Sequence, residues 1–169
     1  CDSVFMDFLL DDRIVGLLKA IIGDDLELHH SKIFRKLADP EFGKVPWHQD
    51  YPYFPHTNFD LLALTINLDD VIEGSGALRV IPESHKWGVL SHCRDGKFAY
   101  ECTEEIKFED HPQEVLFARA GDISIHHGLT LHSSPPVCDG SLRRTVTYQC
   151  RPQDCVQISG VVWGDAGLV

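Results

Sequence analysis

Beyond its first two dozen residues this chain is a run of short apolar segments, at 26–36, 60–68, 77–81, 115–117, 123–127 and 142–150, divided by clusters of Gly, Pro, Asp and Ser. Segments of this length read as strands, and the residues between them read as turns. A parallel βαβ sheet needs a helix between successive strands, and no helical periodicity fills these gaps. The pattern predicts a mainly β fold of the sandwich or jelly-roll type. Segment 60–68 is nearly continuous in Leu61, Leu62, Ala63, Leu64 and Ile66, as a buried strand should be.

Two stretches depart from that pattern. In residues 8–22, Phe8, Leu9, Ile14, Leu17, Leu18, Ile21 and Ile22 recur at three- and four-residue spacing, with Asp11, Asp12, Arg13 and Lys19 on the remaining face. One flanking helix is expected there, stopped by Gly23. Residues 91–113 are polar, with an acidic run at 101–110, and lack apolar periodicity. An irregular solvated loop is expected, long enough to act as a lid over a site.

At 169 residues the chain is expected to be a single domain, 1–169, with its core at about 26–150 and no need of disulfide staples. The formal charge of −11 argues against nonspecific nucleic-acid or anionic-membrane binding, although a local basic pocket can still oppose the overall field. No apolar run approaches the ~18–20 residues that span a bilayer. Six cysteines, at 1, 93, 102, 138, 150 and 155, form no Cys-x-x-Cys pair. They read as reduced thiols packed like small hydrophobes, which points to a cytoplasmic setting. Cys150 and Cys155 could pair only in an oxidising one.

The chemistry centres on Trp47-His48-Gln49-Asp50, followed 84 positions later by His132 and then by Arg143. With ten histidines in the chain, roughly one His-x-Asp arises by chance, so the triplet alone proves little. On extended backbone, however, His48 and Asp50 project to the same side and can grip one ion together. Two imidazoles and a carboxylate suit Fe(II) and leave open positions. The same three ligands with a water would also serve a zinc hydrolase, which has no need of an arginine partner.

The remaining candidates have plainer readings. His29, His30, His56, His92 and His111 are expected to be solvated or loop residues, and His126 a surface or satisfied one. His127 is read as lining the pocket, His85 as fixing a loop, and Arg79 as a surface charge. Trp47, Tyr51, Tyr53 and Phe54 are expected in packing or as substrate walls.

Four segments occur together and in order. They are His48-Gln49-Asp50; Gly76-Ala77-Leu78-Arg79-Val80-Ile81-Pro82-Glu83-Ser84-His85; Gly121-Asp122 leading to His132-Ser133-Ser134; and Arg143. Together they resemble the phytanoyl-CoA dioxygenase family of non-haem Fe(II), 2-oxoglutarate-dependent oxygenases, from about Leu26 to Tyr148. The resemblance implies a double-stranded β-helix (jelly-roll) fold, with iron held by His48, Asp50 and His132. It further implies that Arg143 and Ser134 anchor 2-oxoglutarate and that Lys32 lines the co-substrate pocket. Arg143 and Arg144 are strand neighbours, so only one can face inward, and the family pattern selects Arg143.

The implied reaction couples decarboxylation of 2-oxoglutarate to succinate with oxidation of an unactivated C–H in a small organic molecule by dioxygen. Halogenating relatives replace the carboxylate ligand with a small residue, so Asp50 favours hydroxylation. The alternative is a cupin-like metal-binding protein without oxygenase activity. One departure stands out: the family commonly has Pro-Gly-Ser-His where this chain has Pro82-Glu83-Ser84-His85, so a slightly different turn is expected there.

Overall fold

The computed structural model describes residues 3–39 and 42–160. Two helices, α1 (Val4–Leu9) and α2 (Asp12–Ile22), precede ten strands. These are β1 (Leu26–Lys36), β2 (Val45–His48), β3 (Leu62–Asn67), β4 (Leu78–Val80), β5 (Cys93–Arg94), β6 (Lys97–Phe98), β7 (Glu114–Leu116), β8 (Ile123–His127), β9 (His132–Ser134) and β10 (Arg143–Pro152).

Eight strands form two antiparallel four-stranded sheets, ordered β1-β10-β3-β8 and β2-β9-β4-β7, while β5 and β6 make a separate hairpin. Early strands pair with late ones in both sheets, the winding of a jelly roll. The mainly β expectation holds.

Side-chain alternation sorts the larger sheet into two faces. Leu62, Leu64 and Ile66 of β3, with Val146, Tyr148 and Cys150 of β10, pack against Leu9, Ile14 and Leu18 of the helices. The intervening residues of the same strands, among them Ala63, Thr65, Thr145, Thr147 and Gln149, line a cavity on the opposite face. One face therefore builds the core while the other is left for chemistry.

Three expectations need correction. The single helix expected over residues 8–22 is two helices, because Asp11 leaves helical geometry (ψ 130°) and caps α2 by accepting from the Arg13 N–H at 2.9 Å. The segment 91–113 is built rather than irregular. It contains the β5–β6 hairpin, and its Cys102 joins a second small core with Ile81 and Leu131. Trp47 and Phe108 stack with ring centroids 5.4 Å apart, and the Cys102 N–H donates to the Trp47 carbonyl, so this segment braces the strand carrying His48. Its contacts are with residues distant in sequence, which local periodicity does not reveal.

The third correction concerns Glu83, whose φ of 64° and ψ of 0° keep the left-handed turn that glycine would favour. Left-handed geometry costs an L-residue roughly 1–2 kcal/mol, partly offset by the greater freedom glycine has when unfolded. Glu83→Gly is therefore expected to raise the unfolding free energy by about 0.5–1 kcal/mol, measurable by urea denaturation.

Cys102, Cys150 and Cys155 are buried, whereas Cys93 and Cys138 are exposed; Cys1 lies outside the described residues. Cys150 and Cys155 are both free thiols. Among the described residues, no helix is long and apolar enough to cross a membrane.

Candidate metal centre

Strands β2 and β9 pair so that His48 lies directly opposite His132, with imidazole centroids 4.1 Å apart. Asp50, two residues beyond His48, turns one carboxylate oxygen towards both rings. Its Oδ1 is 3.8 Å from each of the two histidine Nε2 atoms. The three donor atoms lie within 4.8 Å of one another, and all three residues are buried.

Hydrogen bonds fix how these donors present themselves. The Nδ1–H of His48 donates to the Pro46 carbonyl at 2.9 Å, and that of His132 to the Thr130 carbonyl at 2.9 Å. Each bond assigns the ring proton to Nδ1 and turns the Nε2 lone pair towards the shared point. The second oxygen of Asp50, Oδ2, accepts from Gln149 Nε2 at 2.8 Å and faces His126 Nε2 at 3.3 Å.

Burial lowers the pKa of both His48 and His132, keeping the rings neutral. It works against ionisation of Asp50, but the hydrogen bond at His126 and the nearby Lys32 ammonium favour the carboxylate, and that carboxyl is held well below its usual range. Neutral imidazoles and an ionised carboxylate are the forms a divalent metal requires. The donor set fits Fe(II).

The middle residue of the triplet has a different task. Gln49 is fully buried on the opposite side of the strand, where its amide donates to the Gly88 and Leu129 carbonyls at 2.9 and 2.8 Å and accepts from the Leu90 N–H at 2.8 Å. Its own N–H donates to His92 Nε2 at 3.0 Å. The motif is thereby tied to the loop ahead of β5 and to the approach to β9.

Several histidines depart from the expectations above. His92 and His56 are buried, not solvated, and each directs Nδ1–H to a nearby backbone carbonyl. His29 and His30 are half-buried beside Phe54, and burial takes His30 down to about 4. His111 is half-buried against Trp87.

The roles expected for His126 and His127 are exchanged. His126 borders the cavity beside Asp50, while His127 faces away, near His85. The signal was present in Ile123-Ser124-Ile125-His126-His127, because His127 shares the apolar parity of the isoleucines and His126 shares that of Ser124. Arg79 is exposed. Phe54 is buried, whereas Trp47, Tyr51 and Tyr53 are half-buried, with the Tyr53 ring edge-on to His48.

The other end of the cavity is basic. Arg143 points inward and is buried, while Arg144 points outward and pairs with Asp69 at 2.6 Å. Directly opposite Arg143 in the β1–β10 register lies Lys36, also buried, whose ammonium donates to Ser134 Oγ at 2.7 Å. Burial, reinforced by the Arg143 charge, takes Lys36 down to about 8.

Arg143 donates through Nη1 to the Gly76 carbonyl, but among the described residues its buried Nε has no partner. Among the described residues no carboxylate pairs with either cation. Like charges directly opposite one another destabilise a sheet, and buried charges are normally paired. Two such cations beside a hydroxyl suit a carboxylate ligand. Gly76 is required nearby: its φ is 77°, and a Cβ there would lie 2.7 Å from the Lys36 stem.

A cavity of about 150 Å³ reaches from His48, Asp50 and His132 to Ser134 and Arg143, with Lys32 on its wall. All six residues singled out from the sequence therefore border one space. Lys36, Gln149 and His126 are additions the sequence reading missed. Lys36 shares strand parity with Lys32, so the β1–β10 register reveals it.

The chain is similar to known proteins over most of its length. It is 37% identical over 130 residues to the probable alpha-ketoglutarate-dependent hypophosphite dioxygenase of Stutzerimonas stutzeri, covering 74% of this chain and 45% of that protein. Against the ectoine dioxygenase of Streptomyces anulatus it is 26% identical over 135 residues, covering 76% of this chain and 43% of the relative. The chain thus spans less than half the length of these relatives. Its fold is similar to that of the epimerase SnoN solved with Fe3+, alpha-ketoglutarate and nogalamycin RO, with a TM-score of 0.74 at 21% identity over 89% of this chain and 59% of that one. The family model for phytanoyl-CoA dioxygenase (PhyH) matches residues 2–145, and the chain belongs to that family.

Proposed function

We propose that this protein is a non-haem Fe(II), 2-oxoglutarate-dependent dioxygenase that hydroxylates a small organic molecule. The observation that carries the reading is one cavity with a two-histidine, one-carboxylate donor set at one end and a buried cation pair lacking a carboxylate at the other. A zinc hydrolase would use the first feature and has no need of the second. Relatives named for hypophosphite and ectoine support a small substrate.

His48, Asp50 and His132 would hold the iron, and Arg143, Ser134 and Lys36 the distal carboxylate of 2-oxoglutarate. When bound there, iron with 2-oxoglutarate and dioxygen would supply the oxidising power for hydroxylation, with succinate and carbon dioxide as the co-products. The chain's residues set geometry and charge. Gln149 and His126 hold one oxygen of Asp50, leaving the other for the metal. The Pro46 and Thr130 carbonyls stop the imidazoles from rotating. Arg143 offers a fixed fork that orients a dicarboxylate along the cavity.

Anaerobic calorimetry with Mn(II) and 2-oxoglutarate tests the reading. Metal-dependent binding is expected, and binding indifferent to the metal would contradict it.

Lys36 adds a pH dependence of determinate sign. Its ammonium is already destabilised, so it is half deprotonated near pH 8 and loses a charge that an anion needs as pH rises further. Affinity for 2-oxoglutarate is expected to fall as pH rises through about 8 to 9, and Lys36→Met should be weaker throughout and lose that slope. Calorimetry at pH 7, 8 and 9 measures both.

A further inference from the structure

Strand β1 presents three alternate residues to the cavity side, Lys32, Phe34 and Lys36. Lys36 is engaged by Ser134 at the Arg143 end. Lys32 lies four residues away, about 13 Å along the strand, and pairs in register with Thr147. It borders the same cavity as His48, Asp50 and His126. Among the described residues, the Lys32 side chain makes no hydrogen bond or ion pair.

The charges in the cavity do not balance without a further anion. Asp50 and one carboxylate of a bound 2-oxoglutarate match the two charges of the metal. The other carboxylate matches one of the two cations at the Arg143 end, so one charge of that pair and Lys32 remain unmatched. Of these, Lys32 is the one whose side chain has no partner among the described residues; it is exposed at the edge of the cavity, in a chain whose overall charge is −11. The neighbouring imidazole, His30, is neutral because of burial and adds no charge of its own. Local positive charge inside an acidic protein concentrates small anions at the site.

We propose that Lys32 is the docking point for a negatively charged group on the substrate, and that the substrate is a small anion. This inference rests on the oxygenase reading of the site. It gives Lys32 a role in substrate selection, distinct from the co-substrate role that the family resemblance implies. Bound there, an anion is held from the β1 wall while its reacting bond lies over the metal.

The test uses the whole chain loaded with Mn(II) and 2-oxoglutarate without oxygen, titrated calorimetrically with hypophosphite, acetate and ectoine. Each probe is small and carries a negative group, and acetamide serves as the neutral counterpart of acetate. At least one anion should bind and acetamide should not. Lys32→Ala should weaken the anion about tenfold or more, and Lys32→Arg should restore it to within about threefold. Binding of 2-oxoglutarate itself should be unchanged in both variants.

Three outcomes overturn the inference: no anion binds the loaded wild type, Lys32→Ala leaves anion affinity unaltered, or 2-oxoglutarate affinity falls in that variant. The last would assign Lys32 to the co-substrate. If the wild type fails to bind 2-oxoglutarate at all, the oxygenase reading itself falls.

Discussion

Asp50→Ala should lower affinity for Fe(II) by at least about a hundredfold, since losing even an outer hydrogen-bond partner of a metal ligand costs roughly 10–100-fold. The carboxylate is the only anionic donor in the triad, and its Oδ1 is what both Nε2 atoms face. Without it, two neutral imidazoles remain, and nothing compensates the charge of the metal in a buried site. Gln149 and His126 also lose the oxygen they share. Competition with a metal indicator measures the affinity, and circular dichroism establishes that the variant is folded. A folded Asp50→Ala that retained wild-type metal affinity would remove Asp50 from the coordination sphere.

Arg143→Ala should weaken 2-oxoglutarate by about 30-fold or more, because truncating one side of a buried charge pair costs roughly 2–5 kcal/mol of binding. The effect on folding separates this role from a structural one. Arg143 faces Lys36 across the β1–β10 register, so its removal relieves a repulsion while giving up one hydrogen bond to Gly76. The apoprotein should therefore change in stability by about 1 kcal/mol or less. Calorimetry and urea denaturation together read both quantities. A large loss of stability with little loss of 2-oxoglutarate affinity would make Arg143 a structural residue.

Much of this arrangement was legible because strand periodicity is simple. Alternation on β3 and β10 separates helix-facing Leu64 and Tyr148 from cavity-facing Thr65 and Thr147, and it turns Arg143 inward and Arg144 outward. The triplet's spacing placed His48 and Asp50 on one side of the chain. The partners that support the site were harder to see. Lys36 becomes visible only once β1 is known to pair with β10, a contact between residues more than a hundred positions apart.

Gln49 and His92 serve each other across an unrelated loop, and no local pattern marks a histidine whose partner is a backbone N–H 43 residues away. The break at Asp11 was hidden because apolar spacing continues across it while the capping carboxylate interrupts the backbone. At Glu83 the turn persisted despite the missing glycine, because the loop around it imposes the left-handed geometry. Sequence periodicity locates faces of strands. It does not locate the tertiary hydrogen bonds that hold a site in place.

The most direct measurement is 2-oxoglutarate turnover by the iron-loaded protein, following succinate release and oxygen consumption beside Asp50→Ala. An iron-dependent release of succinate that a chelator stops, and that is absent from the folded variant, is the expected result. Equal turnover by wild type and Asp50→Ala would contradict the account, as would an iron-loaded wild type that binds 2-oxoglutarate and never releases succinate, even with small anions such as hypophosphite present.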